Sequence, residues 1–426
     1  MISSTRLRQI FTVGGVETFA VILSGISGLL IVNFLPKDQY AIYTFLSACM
    51  LLMLGITDTG LAHACLPVVG RRSSEAPWVL AACAQVFRKR WVLLFAGFLV
   101  VGPYWYFTSR QHDWDGLAYW TASLLIVAIL FLTLREHYAG TVLTILGEIS
   151  LLNRIGFTAS SIRILFIAAV LLLPSGAYAL AGVLAATATA SAVCVGFYVY
   201  AFRKRRLQAQ PLDPAQAKEV DAHIFRFARP LVLPAVFYQF QGVITVFIVS
   251  LFGDATMLAE VGAFGRLAML LLVFDRVAGV LLFPAIARAP DGGGLQTLIA
   301  KGHLAYLGIM ALAFSTALLV PHWWMLLLGN QYQGRESLVW MVFLSALLMA
   351  SAGFAFRTVA ARGHTGGQTW IIPFVLAVQM GYLGLFGATT LETVLGFGIA
   401  TSLANFLYQY AMLARWFVLQ RRRPAA

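Results

Sequence analysis

Apolar residues run along this chain in long unbroken blocks, not in the one-sided stripes of a soluble helix. Twelve blocks are long enough to cross a bilayer. About 20 helical residues at about 1.5 Å each span about 30 Å of hydrocarbon. The blocks lie near residues 10–35, 41–66, 91–107, 117–134, 156–173, 178–201, 230–252, 259–286, 303–320, 338–356, 369–388 and 394–413. The predicted fold is therefore all-α, a polytopic membrane protein, because a helix in lipid satisfies its own backbone hydrogen bonds. The short alternating segments of a transmembrane barrel are absent. Residues 135–154 carry Glu136, His137, Glu148 and Arg154 and are expected to form a membrane-surface helix leading into the fifth span. The first block runs on without a cleavage-site pattern and reads as a targeting span, not a removable leader.

Composition agrees with that reading. Of 426 residues, 60% are hydrophobic and 11% charged, against about 25% charged in soluble domains. The net charge of +13 would suit nucleic acid, but the cations sit in short connections between spans, which is the membrane pattern. No nucleic-acid partner is expected. With the N-terminus in the cytoplasm, all but five of the 30 Lys and Arg are counted with inner segments, Arg163 of the fifth block among them. Lys37, Arg110 and Arg335 fall outside, and Arg266 and Arg276 fall within a span. Both termini are thus expected in the cytoplasm. The basic connection opening with Arg203-Lys204-Arg205-Arg206 predicts an N-terminal six-helix lobe at 1–205, a cytoplasmic linker at 206–229 and a C-terminal six-helix lobe at 230–426. Membrane lipids are the expected contacts of that basic run.

No catalytic residue is assigned. A P-loop, a nucleophile elbow and HExxH are all missing from the sequence. Cys49, Cys65, Cys83 and Cys194 lack metal-ligand spacing, so neither a metal, a cofactor nor a disulfide framework is expected.

The candidate chemistry lies in charges inside the spans. Each costs about 2.5–3.5 kcal/mol on insertion scales and usually faces a bundle interior or a wet cavity. Arg266, Asp275 and Arg276 share the eighth span. At about 100° per residue, Arg266 and Arg276 are about 80° apart around the helix, and Arg266 and Asp275 about 180°. Arg266 is the deep cation; Arg276 either joins it at a substrate cavity or snorkels to the inner interface. Glu17 lies about 10 Å into the first span, facing the cavity or bonded to a neighbouring helix. Asp58, in Thr57-Asp58-Thr59-Gly60, is either an ion-coupling acid or part of a helix irregularity. Gln239 is a candidate sugar contact or an amide joining two helices.

The two halves repeat. Residues 35–43 and 252–264 each place an acidic turn between long spans, aligning Asp38 with Asp254 and Tyr43 with Phe264. Equal six-span repeats imply a pseudo-two-fold axis, a site between lobes and alternating access. Residues 35–61, LPKDQYAIYTFLSACMLLMLGITDTGL, and 253–288, ending in Phe283-Pro284-Ala285-Ile286-Ala287-Arg288, resemble the polysaccharide-flippase branch of the multidrug/oligosaccharidyl-lipid/polysaccharide exporter superfamily. The resemblance implies about twelve helices in two lobes of a bacterial inner-membrane flippase. Its cargo would be an undecaprenyl-pyrophosphate-linked oligosaccharide for surface polysaccharide such as O-antigen. It also implies a polysaccharide polymerase and a chain-length regulator as partners, and a proton or sodium ion as coupling ion. On this reading Arg266, Arg276 and Gln239 line the substrate cavity, and Glu17, Asp58 and Asp275 are its acids. A cation-coupled multidrug antiporter and a membrane-embedded glycan enzyme are the alternatives.

Overall fold

The computed structural model describes residues 22–59, 61–173, 176–290, 292–362 and 367–421, and its regular structure there is helical, with no strand. The helices are α1 (Ile22–Phe34), α2 (Lys37–Asp58), α3 (Leu61–Val69), α4 (Ala76–Gln111), α5 (Leu117–Ile145), α6 (Ile149–Leu171), α7 (Ala179–Lys204) and α8 (Pro214–Gln241). There follow α9 (Ile244–Phe252), α10 (Ala255–Arg288), α11 (Gly293–Leu319), α12 (Pro321–Leu326), α13 (Val339–Ala361), α14 (Ile371–Phe386) and α15 (Leu391–Arg421). Among the described residues, 9 helices are long and apolar enough to cross a membrane, and α8 with α9 form a further pair bent by 55°. With α1 and α10 in the places of the first and eighth blocks, the order is that of the twelve expected spans. The chain is a multi-pass membrane protein.

Local sequence sets the ends of these helices. Asp213 and Pro214 start α8, with Asp213 and Gln216 capping each other reciprocally, a capping-box arrangement. Asp254 accepts the Met257 N–H at 2.7 Å before α10, while Asp38 sits in the first turn of α2. Both acids meet the positive end of a helix dipole, which gives a physical reason for the acid in each repeat turn. Thr59, at φ 35°, ends α2 directly after Asp58.

Two expected boundaries move. Residues 135–145 form no separate surface helix; they continue α5, and the chain turns at Gly147 (φ 75°) before α6. The helix carries on through Gly140 and stops only before Gly147, which supplies the positive φ the turn needs. In the expected linker, residues 214–229 are already helical, as the first part of α8. Its Val220, Ile224 and Ala228 pack with Val69, Trp78 and Val79 of α3 and α4.

The chain forms two compact units. One is Phe34–Ala259; the other joins the described residues before 34 to Glu260–Ala426. This division falls elsewhere than at 205 and 230, because each sequence half gives its first span to the other unit. In the C-terminal unit, Asn33 donates to the Leu327 carbonyl at 2.5 Å and Gln331 to the Val32 carbonyl at 2.6 Å. In the N-terminal unit, Gln111 donates to the Leu251 carbonyl at 3.0 Å, and His112 Nε2 lies 3.0 Å from the Ser250 carbonyl. Tyr104 stacks on Phe247 with ring centroids 4.4 Å apart. The first span of each half is thus tied to the turn after the third span of the other half.

Candidate substrate and coupling site

Arg266 is the twelfth residue of α10, about 16 Å along the helix at 1.5 Å per residue. It is half-buried within the C-terminal unit. Its side chain lies over Gly28 of α1: a Cβ at residue 28 would stand 3.1 Å from Arg266 Cδ and 3.2 Å from Nη1. Nη1 is also 3.5 Å from Met269 Sδ. The bare backbone of Gly28 therefore makes room for a guanidinium between two spans. A Cβ at Gly265, next to Arg266 in the chain, would by contrast meet nothing within 4 Å.

The N-terminal unit holds a related contact. Gln239 of α8 lies over Gly55 of α2, where a Cβ would fall 1.6 Å from Gln239 Cγ and 2.7 Å from its Cβ. Gln239 sits just before the 55° break between α8 and α9. Broken spans expose backbone polar groups and commonly line transport sites.

Asp58 closes α2 and lies within electrostatic reach of Arg90 of α4 and His137 of α5. Arg90 is only 2% exposed. Its Nη2 is 3.4 Å from Thr57 Oγ1, and its guanidinium lies 4.8 Å from the Phe87 ring centroid. This cluster was missed because Arg90 had been counted with a cytoplasmic connection. Its signal was the run Arg88-Lys89-Arg90: three successive helical residues sweep about 200°, too wide an arc for all of them to leave the core. Lys89 turns outward to Asp221 at 3.0 Å. Arg163 and Arg357, counted with the same inner connections, also stand within helices, α6 and α13. Arg163 lies within electrostatic reach of Glu136 of α5.

Two further polar contacts lie in the C-terminal unit. Glu260, 4% exposed, is 3.4 Å from Arg335. His303 of α11 bonds the Tyr410 hydroxyl of α15. Of the remaining candidates, Glu17 lies outside the described residues. Asp275 and Arg276 belong to α10 by backbone, and their side chains lie outside the described part. Arg266 and Gln239 are thus placed in different compact units, each on a glycine of an opposing span, and Asp58 stands in a third cluster.

No family model matches the chain, and no curated protein matches it. Solved structures do. An inward-facing multidrug resistance MATE family transporter of the MOP superfamily aligns with TM-score 0.72 and 14% identity, covering 95% of this chain and 96% of that one. The lipid II flippase MurJ in an inward closed conformation gives 0.70 and 11%, covering 96% and 87%. A MOP superfamily transporter from Pyrococcus furiosus, described as having a binding pocket of reversed polarity, gives 0.64 and 15%, covering 98% and 95%. The chain has the fold of these transporters.

Proposed function

We propose that this protein is a flippase that moves a lipid-linked oligosaccharide, carried on undecaprenyl pyrophosphate, across the bacterial inner membrane by alternating access. The single observation that carries this reading is Arg266, a cation deep in a span and set against the bare backbone of Gly28. A diphosphate must leave water to cross, and a guanidinium binds it with charge-assisted, bidentate hydrogen bonds. Gln239, beside the α8–α9 break, is the proposed sugar contact, and Arg276 a second phosphate contact. Glu17, Asp58 and Asp275 are the proposed carriers of a coupling proton or sodium ion. The polymerase and chain-length regulator of surface-polysaccharide synthesis are the proposed protein partners. Both termini are placed in the cytoplasm on the Lys and Arg distribution.

The test is surface display of finished glycan, with membrane abundance of the protein measured in parallel. Arg266→Lys keeps the charge but loses the planar fork, and is expected to lose most activity; Arg266→Ala is expected to lose nearly all. Full display by the alanine variant at normal abundance removes Arg266 from the mechanism. Running the same assay across pH with Glu17→Gln, Asp58→Asn and Asp275→Asn tests coupling. Unchanged rates and pH dependence in all three would end that part.

The likeness to a multidrug MATE transporter favours a second reading, a cation-coupled drug antiporter. Expression that protects a susceptible host from cationic drugs, with no effect on glycan display, would select it.

A further inference from the structure

A cavity of about 610 Å³ opens between α6 and α7 in the N-terminal unit. It lies in the size range of small-molecule pockets, about 300–1,000 Å³. The two helices touch closely near their connecting turn, where a Cβ on Gly182 would stand 2.7 Å from Val170 Cγ1. The cavity lies towards their other ends, where Ile155 and Ala201 form its buried floor. Phe197 and Tyr200, both exposed, form an apolar wall.

Its chemistry changes sharply towards the helix ends, where Arg154, Lys204 and Arg205 line it. Arg205 is ion-paired with Glu148. Lys204 Nζ lies 5.9 Å from the Tyr200 ring centroid, and Arg154 is exposed. Three cations against one carboxylate leave a positive surplus directly above an apolar wedge. That order, cation then hydrocarbon, matches a phosphate headgroup and acyl chain entering from the membrane side.

We infer that this cavity is a binding site for an anionic phospholipid of the leaflet facing the basic connections. Arg154 and Lys204 hold the phosphate, and the acyl chain lies along Phe197 and Tyr200. Basic pockets between membrane helices recognise anionic headgroups in this way. The inference is independent of what the protein transports.

Native mass spectrometry of the purified full chain tests it, titrating phosphatidylglycerol against phosphatidylcholine of the same acyl chains. Phosphatidylglycerol should bind first. The double variant Arg154→Gln, Lys204→Gln should weaken that binding about thirty-fold, since each cation near a membrane surface contributes about 1 kcal/mol. Thr158→Trp, which fills the cavity from its lining and leaves every charge in place, should weaken it as well. Arg203→Gln with Arg206→Gln, outside the lining, should change it about two-fold at most, because neither side chain contacts the bound headgroup. Equal binding of the two lipids overturns the site, as does an equal loss in the Arg203, Arg206 control. Displacement of phosphatidylglycerol by inorganic phosphate, equal in the wild type and Thr158→Trp, would reduce it to a phosphate site and overturn the lipid assignment. Preference for undecaprenyl diphosphate over phosphatidylglycerol would overturn it in favour of the transported lipid.

Discussion

Gly28 under Arg266 and Gly55 under Gln239 form a pair across the repeat. One joins the first and eighth spans, the other the second and seventh, so the glycine and the long polar side chain exchange halves. The crowding differs. At Gly28 the nearest obstacle is the far end of a flexible arginine, at 3.1 Å; at Gly55 it is the root of the Gln239 side chain, down to its Cβ at 2.7 Å. The first contact is with a side chain that can rotate aside, and the second sets the start of a side chain directly against a neighbouring backbone. The corresponding span pairs of the two units therefore carry an arginine contact in one and a tighter, more rigid joint in the other.

The largest effect is expected at the rigid joint. Gly55→Ala should destabilise by about 1–3 kcal/mol, the usual cost of overpacking, read as a lower thermal midpoint in detergent. Adding Gln239→Ala should recover most of that loss, and two independent, additive effects would break the comparison. Next comes Asn33→Ala, which removes donors to the Leu29 and Leu327 carbonyls at 2.9 and 2.5 Å. It should cost about 1 kcal/mol, seen as faster proteolysis of the 327–331 turn. The smallest change in stability is expected for Gly28→Ala, within about 0.5 kcal/mol of zero. Here the helix-propensity gain of about 0.8–1 kcal/mol offsets the crowding. Its transport should nevertheless fall, because the added methyl crowds the Arg266 guanidinium; wild-type glycan display would show that this crowding has no role.

The order of the apolar spans was legible because apolar length is a property of each segment alone. The break after Asp58 was legible too, since Thr-Asp-Thr-Gly offers side chains that compete for backbone groups. The 55° bend at Gly242 was not, lying inside an otherwise apolar run. Arg266 and Gln239 stood out as polar residues in hydrocarbon, yet the sequence did not tell which glycine each would cover. Arg90 was hidden among neighbouring cations, where hydropathy cannot distinguish the one that turns inward. Nor was the exchange of first spans legible. It rests on a few amides and rings meeting carbonyls at 2.5–3.0 Å, and such pairings leave no trace in periodicity.

The tie between Asn33 and Leu327 also sets an order of assembly. Its partners are 294 residues apart, so at about 5–20 residues per second a ribosome needs about 15–60 s to deliver the second after the first. Through that interval the first span is in the membrane without the turn that will hold it. The Phe34–Ala259 unit is meanwhile complete as soon as its own last residue emerges. The opening span, although made first, is among the last to be secured, and the insertion machinery or surrounding lipid must shelter it until the other half arrives.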